Sequence, residues 1–104
     1  MTWDAQVPEV VHGAAVVALA GELDLGAVDA ICARAATALD QPGTRTLSFD
    51  ISAVTFIDSS AIGAFIDVRT LAQARGASME LINVPSRIGR IIEITGLTEY
   101  LGVR

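Results

Sequence analysis

The apolar pattern between positions 46 and 74 switches from one period to another, and this switch most constrains the fold. Leu47, Phe49 and Ile51 alternate with polar residues, as expected of a strand with one buried face. Apolar residues then recur at helical spacing, which predicts an amphipathic helix that ends at Gly76. Its predicted buried stripe consists of Ile62, Phe65, Ile66 and Leu71. A strand that runs directly into such a helix is a building unit of α/β folds.

The segment before this unit predicts a hairpin and a first helix. β-Branched runs at residues 6–11 and 14–19 flank a His-Gly pair that is typical of a tight turn. Pro8 in the first run cannot donate to a ladder, which places that strand at a sheet edge. Residues 25–39 carry apolar side chains at helical spacing and precede a Gln-Pro-Gly helix stop.

The segment after this unit predicts one more strand, at residues 79–84, and one more helix, from Pro85 to Gly96. Arg87 and Arg90 lie on this helix, either as a solvated basic face or as contacts for a carboxylate-bearing partner. The remaining tail is long enough only for a strand stub or a single turn. The order β-β-α-β-α-β-α predicts an α/β fold in which helices flank a mixed sheet of four to five strands.

Chain length and composition narrow the classes of function. A chain of 104 residues with 52% apolar residues is expected to form a single domain over residues 1–104. Seven basic against twelve acidic side chains give a net charge of −5 without any basic run, so direct nucleic-acid binding is not expected. The longest uncharged apolar stretch, residues 10–21, is about half of a membrane span, and the start lacks a secretion signal. We therefore expect a cytoplasmic protein without membrane insertion.

The inventory of reactive side chains argues against an enzyme. A serine nucleophile needs a base, and His12, the single histidine, is predicted to lie in the hairpin turn. Cys32 is the single cysteine and falls on an apolar helix stripe, so it is expected to be a core residue without a disulfide, and with one histidine no metal site or cofactor is expected. Four carboxylates lie at predicted strand ends, where solvated or helix-capping roles are common: Glu22, Asp24, Asp50 and Asp58.

Two hydroxyls follow Asp58 at the strand-to-helix junction and form the candidate functional site. Ser59 and Ser60 stand where a helix begins with unpaired N–H groups and the positive end of its dipole. An anion on either hydroxyl would be stabilised there, which suits a phosphoacceptor. A purely structural serine cap would use the same residues, and local chemistry alone favours the cap.

Three stretches in the same order carry a resemblance to a known family. They are the Gly-Glu-Leu-Asp sequence at residues 21–24, residues 56–63 with their Asp-Ser-Ser core, and residues 84–97, which end in a Gly-Leu turn. Together they resemble the anti-sigma factor antagonist branch of the STAS domains over nearly the whole chain. Members of that family usually carry a further strand and helix after the Gly-Leu turn, of which this sequence holds only the first residues.

The resemblance implies a small cytoplasmic protein that binds an anti-sigma factor, usually a serine kinase, and thereby frees a sigma factor for RNA polymerase. It places inactivating phosphorylation on Ser59, with Ser60 as the second candidate, and a phosphatase restores binding. The implied partner surface consists of Asp24, Asp58, Ser59, Ser60, Ala61 and Ile62. Ala61 stands where the family usually has glycine, so its methyl group is expected beside the acceptor, where it restricts the approach of a kinase.

Two other hypotheses stay open at this point. The same domain without a phosphorylation switch could serve as a structural subunit of a lipid-transport or stress-signalling assembly. An enzyme that uses Ser59 on a small phosphorylated or ester substrate would need a base that the sequence does not offer. The leading prediction is therefore a binding protein and not an enzyme.

Overall fold

The computed structural model describes residues 10–104, which form a mixed sheet flanked by helices. The strands are β1 (Val10–Val11), β2 (Ala14–Leu23), β3 (Thr46–Ile57) and β4 (Ser78–Ile82). The helices are α1 (Val28–Asp40), α2 (Ser59–Ala74) and α3 (Ser86–Ile94), and a short 3₁₀ helix, Leu25–Ala27, precedes α1. This confirms the α/β class and the order β-β-α-β-α-β-α. Within the described range no helix is both long and apolar enough to cross a membrane.

The sheet order is β1-β2-β3-β4, with β1 antiparallel to β2 and the other two pairs parallel. The predicted hairpin is confirmed: His12 and Gly13 have φ of 52° and 81°, and a two-residue turn of type I′ requires positive φ at both positions. β1 lies at the edge of the sheet, as expected for the first strand. Pro8 and the other residues predicted to precede Val10 in that strand lie outside the described residues.

The core lies between the sheet and the helices α1 and α2. Phe49 of β3 meets Phe65 of α2 edge to face, with ring centroids 5.3 Å apart. The predicted buried stripe of α2 is correct for Ile62 and Phe65 but wrong for Ile66 and Leu71, which are only half-buried. The buried face of α2 also carries smaller side chains, which let the helix approach its neighbours closely. They are Ala61, Ala64, Val68 and Ala72.

The tail after α3 lies along β4 as the predicted strand stub. Val103 forms an isolated parallel bridge with Leu81, whose backbone N–H donates to the Gly102 carbonyl at 3.0 Å. The Arg104 N–H donates to the Leu81 carbonyl at 2.8 Å. Gly102 has φ of 65°, and a Cβ atom there would lie 2.7 Å from the carbonyl oxygen of Met79, so a side chain would force the tail away from β4.

Candidate functional site

The Gly-Glu-Leu-Asp and Asp-Ser-Ser motifs meet at the carboxyl ends of the neighbouring strands β2 and β3. Because β2 and β3 are parallel and end level with each other, their carboxyl ends lie side by side, whereas the shorter β4 ends opposite Asp50. Leu23 at the end of β2 pairs with Ile57 at the end of β3, so Asp24 and Asp58 follow side by side. The Asp58 N–H also donates to the Leu23 carbonyl at 3.2 Å, which joins the two strand ends directly.

Two irregularities in β3 set this register. The pairing of β2 with β3 shifts between Ala18 and Ala20 and again between Gly21 and Glu22, and each shift inserts one extra residue into β3. Such bulges bend a strand and re-aim its side chains, and they are common beside functional sites. Here they bring the end of β3 opposite the end of β2 and leave Phe56 exposed on the face opposite the core.

The first irregularity gives a structural role to Asp50, one of the four carboxylates at predicted strand ends. Its Oδ1 accepts a hydrogen bond from the Ser52 N–H at 3.0 Å, so the side chain satisfies a backbone donor that the bulge leaves without a ladder partner. This N–H, assisted by the hydroxyl of Ser52, lowers the pKa of the Asp50 carboxyl below its ordinary value. Asp50 therefore shapes the strand that leads to the site.

Both aspartates at the edge act as helix N-caps. The Asp58 Oδ1 accepts from the N–H groups of Ser60 and Ala61 at 2.8 and 3.1 Å, and the Asp24 Oδ1 accepts from the Gly26 N–H at 3.0 Å. A carboxylate is favoured there because it satisfies unpaired donors next to the positive end of the helix dipole. The serine-cap interpretation is therefore wrong, because Asp58 caps α2 and Ser59 is the first helical residue.

The capping by Asp58 leaves the serine hydroxyls available. Ser59 is exposed and Ser60 is half-buried, and in the described part of the chain neither side-chain oxygen takes part in a hydrogen bond. A modifying enzyme can reach the Ser59 hydroxyl without unfolding any element. Accessibility thus ranks Ser59 ahead of Ser60, in the order expected from the sequence.

Two predicted members of the partner surface lie in the core instead. Ala61 is 0% exposed and Ile62 is 8% exposed, since both belong to the buried face of α2. The expectation that the Ala61 methyl group stands beside the acceptor is wrong, because that group points inward. Two exposed apolar side chains near these aspartates, Leu25 and Phe56, were not predicted from the sequence. Leu25 directly follows Asp24, and Phe56 lies two residues before Asp58. Their proximity to the two aspartates could have identified them, but the apolar periodicity assigned Leu25 to a helix and Phe56 to a strand.

The charge at the ends of β2 and β3 is negative. Glu22, Asp24 and Asp58 lie there, and neither residues 13–33 nor residues 46–68 contain a lysine or an arginine. A partner that covers this edge must therefore supply cationic or hydrogen-bond donor groups to avoid burying unpaired carboxylates.

His12 lies just before the amino end of β2, far from the carboxyl end of that strand, which leads to Asp24. The ten residues of that strand separate it from Asp24 by about 30 Å. It cannot act as a general base for Ser59 of the same chain, because proton transfer requires hydrogen-bond distance. No group of three or more His, Cys, Asp and Glu side chains suited to a metal ion occurs among residues 10–104.

Comparisons with known proteins cover nearly the whole chain. A family model described as STAS domain matches residues 5–104. The anti-sigma-B factor antagonist of Staphylococcus aureus (strain NCTC 8325 / PS 47) is 31% identical over 87 residues, which cover 84% of this chain and 80% of that protein.

Two solved structures show the corresponding similarity in three dimensions. The anti-sigma factor antagonist SpoIIAA in its unphosphorylated form has a TM-score of 0.77 at 26% identity, over 95% of this chain and 84% of that one. The Bacillus cell fate determinant SpoIIAA in the phosphorylated form has a TM-score of 0.69 at 26% identity, over 95% of this chain and 87% of that one. Sequence and fold similarity therefore extend over the elements that position Ser59.

Proposed function

The chain belongs to the STAS domain family, and from this membership we propose that it is an anti-sigma factor antagonist controlled by phosphorylation of Ser59. Its partner is an anti-sigma factor of the serine-kinase class. The unmodified protein binds this partner and releases a sigma factor for transcription, whereas the phosphorylated protein does not bind. The names of the relatives support the first part of this proposal, and a relative solved with and without phosphorylation supports the second.

The single observation that carries the proposal is the exposed hydroxyl of Ser59, which makes no hydrogen bond to any described residue and lies at the capped start of α2. A serine that merely stabilised the helix would use its oxygen to cap the backbone. Here Asp58 performs that task, so nothing in the fold requires the Ser59 oxygen. A hydroxyl without a structural role is free for modification.

The binding surface is formed by Asp24, Asp58, Ser59 and Ser60. Ala61 and Ile62 belong to the proposed site only as the buried support beneath it. One carboxylate oxygen of each aspartate is used in capping, and the other is available to a donor of the partner. The partner then buries the neutral Ser59 hydroxyl, while its own donors bind the free carboxylate oxygens of Asp24 and Asp58.

Phosphorylation blocks this contact without refolding the protein. A phosphoryl group adds a charge of about −1.5 to −2. The N–H groups of Ser60 and Ala61 are already occupied by Asp58, so the added anion stays on the outer surface. Burying a desolvated dianion without a matching group costs several kcal/mol, and about 3 to 4 kcal/mol corresponds to a few hundredfold weaker binding.

The proposal is tested by incubating the protein with ATP and each purified serine-kinase anti-sigma factor of the source organism. We expect one phosphoryl increment in the mass spectrum, lost in Ser59→Ala and retained in the matched control Ser60→Ala. Treatment with a serine phosphatase should remove the increment and restore binding. If no kinase labels the protein and a bound partner ignores Ser59→Asp, the domain instead serves as a structural subunit without a switch.

A further inference from the structure

The outer face of α3 carries an exposed stripe of two cations and one apolar side chain. Arg87, Arg90 and Ile94 follow one another at spacings of three and four residues, so they lie on one face of the helix. All three are exposed, and Ile94 is 81% exposed, whereas Ile88 and Ile92 on the opposite face are buried. We call these three residues the α3 stripe.

The arginines of the stripe differ from most others in the chain. Arg75 pairs with Asp40, and the Arg69 guanidinium lies 3.8 Å from the centre of the Tyr100 ring. By contrast, neither arginine of the stripe forms a hydrogen bond or ion pair with any residue from 10 to 104. Two unpaired cations are thus held together on one helix of a protein whose net charge is −5.

The position of Arg87 is also unfavourable for the helix. It lies in the first turn, where the dipole is positive, and the start of α3 has neither a side-chain cap nor an acidic residue. A cation at this end destabilises a helix, in contrast to a carboxylate. Residues that conflict with their local structure and have no compensating contact within the fold are typical of functional surfaces.

We infer that the α3 stripe is a second docking surface that binds an acidic, partly apolar segment of the same protein partner that covers Ser59. This inference rests on the proposed function. α3 follows β4, which ends opposite Asp50 of β3, and α3 packs on β3, the strand that leads to Ser59, so one partner can contact both regions. The arginines match two carboxylates, and Ile94 matches an apolar side chain.

The charge of the whole chain selects a protein segment as the occupant. Lipid surfaces and nucleic acids present many negative charges, and a chain with seven basic and twelve acidic side chains is repelled by them. Two arginines next to an isoleucine are sufficient for a short acidic segment. The proposed interface then carries both signs of charge, because Asp24 and Asp58 meet donors of the partner while the α3 stripe meets acceptors.

The test compares the double variant Arg87→Glu/Arg90→Glu with Arg45→Glu, an exposed arginine just before β3 at the opposite edge of the sheet. The probe is each purified serine-kinase anti-sigma factor that binds the wild-type protein. We expect the double variant to bind about tenfold or more weakly at roughly 50 mM salt, and the loss to shrink at about 500 mM. Arg45→Glu should stay within about twofold of the wild-type affinity.

Stability measurements separate loss of contact from loss of fold. Replacing Arg87 by glutamate places a favourable charge at the start of α3, so the double variant should melt at or above the wild-type temperature. Ile94→Ser should weaken binding by a factor that salt does not change, whereas Val16→Ser, which also replaces an exposed β-branched apolar side chain by serine, should leave binding unchanged.

Four outcomes would overturn the inference. They are equal binding by the double variant and the wild type, an equal loss in Arg45→Glu, unchanged binding by Ile94→Ser, and arginine-dependent binding to phosphatidylserine vesicles while partner binding is unaffected. If the first occurs while Ser59→Asp still abolishes binding, the proposed function stands and only the second surface is wrong. If the wild-type protein binds none of the anti-sigma factors, the proposed function fails and the inference fails with it.

Discussion

The starts of α2 and α3 each follow the carboxyl end of a parallel strand, β3 and β4, but are built in opposite ways. α2 begins with the Asp58 carboxylate on two backbone N–H groups. α3 begins after Pro85 without a side-chain cap and places Arg87 in its first turn. The first start satisfies the local preferences of a helix, and the second conflicts with them.

This difference indicates how each region contributes to function. A start that is already satisfied by Asp58 can accept a change at Ser59 without any consequence for the fold, which is what a reversible modification requires. An unsatisfied start with unpaired cations gains stabilisation only when another molecule supplies negative charge. Substitutions at each helix start test this difference.

The largest expected effect is the loss of partner binding in Ser59→Asp. The substitution places a second carboxylate beside Asp58 at the proposed interface, and we expect affinity to fall by a few hundredfold, as for about 3 to 4 kcal/mol. Isothermal titration against a serine-kinase anti-sigma factor measures this loss. The melting temperature should remain near that of the wild-type protein, because the Ser59 oxygen has no capping role.

Ser59→Ala is the control for this experiment, since it removes the hydroxyl without adding charge. It should bind the partner and should not respond to ATP. A large fall in melting temperature for either variant would show that the hydroxyl stabilises the start of α2 after all, and the contrast with Asp58 would disappear.

The next largest effect concerns stability. Asp58→Ala leaves the N–H groups of Ser60 and Ala61 without an acceptor, and loss of such a cap costs about 0.5 to 2 kcal/mol. In a domain of this size each 1 kcal/mol lowers the melting temperature by about 4–8 °C. Asp58→Ser should recover part of the loss, because a serine oxygen can accept the same hydrogen bonds. Equal stability of all three proteins would contradict the assignment of Asp58 as the cap.

At the start of α3 the corresponding substitution should increase the stability of the fold instead of lowering it. Arg87→Glu replaces a cation by an anion at the positive end of the helix, and we expect a gain of about 0.5 to 1 kcal/mol in the free energy of unfolding. Urea denaturation with Arg45→Glu as the matched change of charge measures it. A loss of stability in Arg87→Glu would mean that Arg87 already has a stabilising environment, and α3 would no longer contrast with α2.

The order of elements was predictable from the sequence because it depends on patterns that do not require tertiary context. The period of the apolar residues, the His12-Gly13 turn and the Gly76 helix stop each constrain the backbone locally, and the structure follows all three. That Asp24 and Asp58 follow side by side was not predicted, because it depends on the register of β2 with β3.

The details of the site were not predictable in this way. Whether Asp58 or Ser59 caps α2 depends on a difference of one residue in the helix start, to which apolar spacing is insensitive. The inward direction of Ala61 and the half-exposure of Ile66 depend on which arc of a largely apolar helix faces the sheet. The bulges of β3 left no pattern distinct from a regular strand, so the exposure of Phe56 was missed.

The smallest expected effect tests the strands that lead to the two helix starts, because β3 is bulged whereas β4 pairs with it in regular register. The Ser52 N–H lowers the pKa of Asp50 in the folded protein, so the charged carboxylate stabilises the fold at pH values above its ordinary pKa. This contribution is lost as pH falls through the lowered pKa.

Asp50→Asn keeps an acceptor but removes the charge, and it should cost under about 0.5 kcal/mol near neutral pH, since the group is partly solvated. Urea denaturation of both proteins from pH 7 down to about pH 3 should show the difference shrink with acidity, whereas a constant difference would mean that the charge of Asp50 does not support the bulge.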